Sequence, residues 1–298
     1  MEQKRISMGQ RMGYFFLALL PFIAFIGIQL LASVVFVLVS MVQTLIPYAY
    51  IGRIAPQILA ELQYNVLNMV GNHLMEINIV YQVIALAAFG IWYYFMVVYR
   101  HKVTSQKAFG IQAAIGIPLL GVGVEIVISF VLGMFSIIFP KIMEDYAKLL
   151  EEAGLDVVTP AVLIATVILA PLVEELVFRG VTLYYAQKMT KHFWIANVLQ
   201  ALLFGIGHMN LVQGTYAFIL GIIMGCVYYK YRSIKATILL HAAFNLVGTV
   251  VAEASDAALS QNNLMMVLSI ELMMVLSGII GLTLVLTDHK KNESSKSD

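Results

Sequence analysis

The stretch TPAVLIATVILAPLVEELVFRGVTLYYAQKM, residues 159–189, decides the fold. It is apolar over more than the roughly 20 residues that cross a bilayer as a helix, yet Glu174, Glu175 and Arg179 sit near its centre. Ionisable groups inside a membrane are costly and mark functional sites by default. Seven more apolar runs surround it, at 14–46, 77–99, 108–139, 193–209, 214–229, 234–252 and 264–286. The runs at 14–46, 108–139 and 159–189 exceed one span and must tilt, kink or project. The pattern predicts an all-α, polytopic membrane helix bundle of about eight transmembrane helices.

Composition agrees. Of 298 residues, 61% are hydrophobic and 12% charged, against about 25% charged in a soluble domain. The net charge of +1 gives no nucleic-acid footprint, and the single cysteine, Cys226, excludes both an internal disulfide and a zinc finger. Lys4, Arg5 and Arg11 precede the first run as in a signal peptide, but the run continues to Ile46, too long for a cleaved segment, and reads as a retained helix. Under eight spans the Lys and Arg residues divide 15 to 3 between alternate faces, the three being Arg53, Lys141 and Lys148. The excess predicts cytoplasmic N- and C-termini. We expect N-terminal membrane helices over 1–150, with an amphipathic segment at 56–74 on the outer surface. An acidic, solvated helix is expected at 141–156, core helices over 151–287, and a polar, disordered cytoplasmic tail at 288–298.

Polar residues inside the spans fall into three helical motifs. In 174–179, Glu175 and Arg179 are i,i+4 neighbours and can pair along one face, while Glu174 lies about 100° around the helix without that partner. In 204–208, Phe204 precedes His208, with Gly205 and Gly207 allowing close helix approach. In 241–245, His241 and Asn245 share a face. If 159–189 and 193–209 form a hairpin, Glu174 and His208 each lie roughly 22 Å from its turn, at one depth. His241 lies only roughly 9 Å beyond Lys235, a mismatch of about 10 Å unless the hairpin projects into the cytoplasm or the seventh helix starts earlier. That reckoning puts the site near mid-membrane, reachable from the cytoplasmic half. Glu125 and Glu271 have no motif around them and read as structural.

At these residues the chain resembles the family of CAAX proteases and bacteriocin-processing enzymes, also called abortive-infection membrane proteases. That family carries Glu-Glu-x-x-x-Arg, Phe-x-x-x-His and His-x-x-x-Asn in order on successive helices, and all three are intact here. The resemblance covers roughly 159–250. It implies an intramembrane endopeptidase acting on a membrane-associated peptide or protein, with Glu174 and His208 activating water and His241 with Asn245 binding the oxyanion. Glu175, Arg179 and Phe204 would support them.

The chemistry fits: peptide hydrolysis needs an activated water and donors for the developing oxyanion. No Gly-x-Ser-x-Gly nucleophile motif competes. Glu174, His208 and His241 are also a two-histidine, one-carboxylate set for zinc, although His-Glu-x-x-His is absent. The metal-free mechanism is favoured because Asn245 is a poor zinc ligand and a good oxyanion donor. The alternative is a non-enzymatic membrane protein, a transporter or bacteriocin-immunity scaffold, using the same buried polar groups. A bacterial cytoplasmic membrane is the expected location, and plain peptide or protein substrates are favoured over prenylated ones.

Overall fold

The computed structural model describes residues 7–49, 56–99 and 109–288. Lys4, Arg5, Arg53, Arg100, Lys102, Lys107, Lys290, Lys291 and Lys296, and the tail from 289, lie outside the described residues. Among the described residues the secondary structure is entirely helical. The helices are α1 (Met8–Ala49), α2 (Pro56–Asn72), α3 (Leu74–Tyr93, continued by a π turn at Tyr94–Tyr99), α4 (Ile111–Ile138) and α5 (Pro140–Glu152). They continue as α6 (Pro160–Thr190), α7 (Phe193–Gly207), α8 (Leu211–Tyr231), α9 (Ile234–Ser260) and α10 (Leu264–Thr287). Seven are long and apolar enough to cross a membrane; α7, with 15 residues, is apolar but shorter. The chain is an all-α polytopic membrane protein. The runs that looked short in sequence, now α8 and α9, are 21 and 27 residues long, because polar flanks such as Gln213 and Glu253 continue the helices.

Local sequence explains where the chain turns. Proline disfavours helix in the residue before it and suits the first helical position. Accordingly α4 ends ahead of Pro140, and α6 starts at Pro160 behind a Thr159 cap whose side chain accepts the Val162 N–H at 3.2 Å. Between α7 and α8, Met209 adopts φ 55° and Asn210 caps the next helix, accepting from Gln213 N at 2.7 Å. The α6–α7, α8–α9 and α9–α10 turns pass through left-handed Lys191, Arg232 and Asn262.

Small residues set the closest packing. A Cβ on Gly278 would come 2.6 Å from Gly123 Cα, so α4 and α10 touch backbone to backbone. A Cβ on Gly205 would come 2.6 Å from the Gly214 carbonyl, which closes α7 onto α8 beside His208. The central apolar cluster draws Phe25 from α1, Phe89 from α3, Ile117 from α4, Phe178 from α6, Phe204 from α7 and Phe244 from α9.

Helix α6 is continuous through Arg179 and Gly180, but two stretches, Ile164–Leu169 and Glu175–Thr182, are π-helical. Such wide turns recur at functional sites. The depth mismatch disappears at Gly180, where an added Cβ would lie 3.3 Å from Ile234 Cδ1. Helix α9 thus begins beside the middle of α6, and residues 181–190 run on past its start.

Candidate active site

Glu175 and Arg179 are both fully buried and pair at 2.9 Å (Nη1 to Oε1). Arg179 also donates to the Gly221 carbonyl at 3.4 Å and places its guanidinium 4.6 Å from the centre of the Phe204 ring. Buried charges persist only when paired and hydrogen-bonded, and this pair meets that condition. The Glu175 oxygen that accepts from Arg179 also accepts from His241 Nδ1 at 3.0 Å. The carboxylate read from sequence as structural therefore also orients a histidine 66 residues away.

Glu174 keeps some exposure, 16% of its side chain. Its Oε2 lies 3.7 Å from His241 Nε2, so the two ring nitrogens of His241 face the two adjacent glutamates. His208 caps the end of α7, where its Nδ1 sits 2.9 Å from the Phe204 carbonyl. A carbonyl only accepts, so Nδ1 carries a proton, and in the neutral ring Nε2 presents the lone pair. Phe204 packs edge-on to both histidines, with ring centres 5.0 Å from His208 and 5.9 Å from His241. Asn245 donates to the Thr166 carbonyl at 2.7 Å. That carbonyl belongs to the first π stretch of α6, and the bond leaves the second Asn245 N–H for another acceptor.

Glu174, His208, His241 and Asn245 all line one cavity of about 240 Å³, while Glu175 and Arg179 lie behind its wall. The wall reaches Leu155 and the 207–209 turn. These lie at the end of the bundle away from the turns at Lys191 and Arg232. Sequence reasoning missed the opposite contributors, Gln29 on α1, Asn78, Tyr81 and Gln82 on α3, and Gln213 and Tyr216 on α8. They are polar but not charged, and a search for intramembrane charges passes over them; the i,i+4 spacing of Asn78 and Gln82 was the available signal. Glu125 stays apart from the cavity, bonded to Ser129 at 2.8 Å, and Glu271 is on an exposed face of α10.

A zinc ion would draw on Glu174, His208 and His241. Among the described residues, no three His, Cys, Asp or Glu side chains are grouped closely enough to hold a metal. Nδ1 of each histidine is hydrogen-bonded, so Nε2 is the nitrogen each would offer to a metal.

Comparison with known proteins places the motifs in context. UPF0177 protein YbdI of Lactococcus lactis subsp. lactis (strain IL1403) is 30% identical over 86 residues, 28% of this chain and 45% of that protein. The chain thus spans less than half the length of that relative. No solved structure matches the chain. The family described as type II CAAX prenyl endopeptidase Rce1-like matches residues 156–247, which hold all three motifs, and over those residues the chain is similar to that family.

Proposed function

We propose that this chain is an intramembrane endopeptidase of the CAAX type that hydrolyses a peptide bond in a membrane-associated peptide or protein. The observation that supports it is the convergence of Glu174, His208, His241 and Asn245 on one cavity, with the Rce1-like match over the same segment. In the proposed reaction, Glu174 and the Nε2 lone pair of His208 polarise a water. Its oxygen attacks the carbonyl carbon as its proton passes to the Glu174 carboxylate. The free N–H of Asn245 donates to the oxyanion, joined by His241 Nε2–H when that ring is doubly protonated. Collapse breaks the C–N bond, and the proton passes from Glu174 to the leaving nitrogen. Glu175 holds His241 in place throughout.

The likeness to a bacterial protein supports a bacterial cytoplasmic membrane as the location. The test is to incubate purified wild type and Glu174→Gln in detergent with prenylated and plain peptides and to read products by mass spectrometry. Cleavage by the wild type alone supports the reading, and the products identify the substrate class. Equal cleavage by both removes Glu174 from the mechanism. Stoichiometric zinc in active protein, with activity lost on chelation and restored by zinc, overturns the metal-free chemistry.

A further inference from the structure

The catalytic motifs account for only part of the cavity. Besides Gln213 and Tyr216 of α8, the rest of its polar wall draws on α1 and α3, outside the family-matched segment: Gln29, Asn78, Tyr81 and Gln82. Gln82 is 4% exposed. Its Nε2 donates to Asn78 Oδ1 one helical turn earlier. Its Oε1 is buried and has no hydrogen-bond partner. Buried polar atoms are almost always satisfied, and an orphan at a cavity wall calls for an explanation.

We infer that Gln29, Asn78 and Gln82 form an amide subsite that binds the main chain of an extended peptide in the cavity holding Glu174 and His208. The inference rests on the proposed protease reading and names the part of the substrate that meets α1 and α3. Side-chain carboxamides carry a donor and an acceptor with no net charge, the same complement as a peptide unit. A peptide drawn into a bilayer has lost water from its own N–H and C=O groups and must find protein partners for them. Gln82 Oε1 is such an acceptor, buried and unpartnered on a residue that lines the cavity. Other occupants fit the wall less well. A prenyl chain has no hydrogen-bonding groups to use it. An anionic headgroup calls for Lys or Arg, and neither lines this cavity.

The test measures binding apart from cleavage. Glu174→Gln protein in detergent is titrated against a fluorescein-labelled peptide ending in Cys-Val-Ile-Met, S-farnesylated and plain, with anisotropy as the readout. Adding Gln82→Leu should weaken binding about tenfold, as expected when one hydrogen bond to a buried partner is lost. A peptide series in which single backbone N–H groups are replaced by ester oxygens should contain one member that binds Glu174→Gln about tenfold more weakly. That member should lose nothing further in the Gln82→Leu background. If Gln82→Leu aggregates, Gln29→Leu, on a different helix, is measured the same way. Unchanged affinity in these variants, or additive losses throughout the ester series, overturns the subsite, as does failure of Glu174→Gln to bind either peptide. Gln82-dependent binding without cleavage by the wild type would instead overturn proteolysis and leave the subsite standing.

Discussion

Replacing Arg179 with methionine tests the buried pair most directly. Arg179 and Glu175 are both at 0% exposure and 2.9 Å apart. The substitution removes the guanidinium that meets Glu175, the Gly221 carbonyl and the Phe204 ring. It leaves a carboxylate in apolar surroundings with His241 and the Thr237 side chain as its remaining partners. Removing one member of a buried ion pair costs about 3–5 kcal/mol, whereas replacing both with neutral groups of similar size is often near neutral. At about 2 °C per kcal/mol, Arg179→Met should lower the melting midpoint in detergent by roughly 6–10 °C. The double variant Glu175→Gln/Arg179→Met should recover most of that loss. Activity should not recover with it. The neutral amide no longer holds the His241 proton as a carboxylate does, and loss of an oriented catalytic group costs about 10²–10⁴-fold. The assays are fluorescence-detected size-exclusion melting and peptide cleavage on the same preparations. An unchanged midpoint in Arg179→Met, or a double variant as active as the wild type, would refute the reasoning.

Other changes probe the surroundings of the site. A Cβ at Gly225 collides with the Asn197 side chain, itself bonded to the Ile222 carbonyl at 3.0 Å. Gly225→Ala should therefore destabilise by about 1–3 kcal/mol, and adding Asn197→Ala should recover part of it in the same melt. Asn245→Asp sets a carboxylate oxygen against the Thr166 carbonyl, where a 2.7 Å donor now sits; cleavage should fall at least about a hundredfold, and a fully active variant would remove Asn245 from the mechanism. On the exposed helix α5, Asp145 bonds Lys141 at 3.0 Å and, with Glu144, raises its pKa above the usual lysine value. Any stability from that pair is present below the ordinary lysine pKa and lost as pH rises through the raised one. Lys141→Met should leave the melt at neutral pH unchanged.

What could be read in the sequence was local. The Glu175–Arg179 pair follows from i,i+4 spacing, and the shared face of His241 and Asn245 from the same rule; both are found, one as an ion pair and the other as two residues on one cavity wall. Contacts between helices were not readable. No spacing rule joins Glu175 to His241, because their meeting depends on α9 starting beside Gly180. Nor does periodicity show that Asn245 reaches Thr166, since that carbonyl lies in a π stretch whose register differs from an α-helix. The amides of α1 and α3 escaped for a different reason. Charge in a membrane is costly enough to stand out residue by residue, whereas Gln and Asn become informative only once the fold gathers them.

In the proposed mechanism the two adjacent glutamates divide support from chemistry. Residues 174 and 175 point to different sides of α6, and the fold gives them opposite surroundings. Glu175 is sealed behind the wall, where Arg179 compensates its charge and His241 donates to it. Glu174 lines the cavity and stays partly exposed. The sealed pair supplies a fixed acceptor for His241 without taking up cavity space, and Glu174 is left able to meet water. Exchanging the two environments would require turning α6 by about 100°, which would also withdraw Arg179 from Gly221 and Phe204. The arginine thus locks the helix rotation that presents Glu174 to the cavity, and the order of the two glutamates in the chain sets which one is presented.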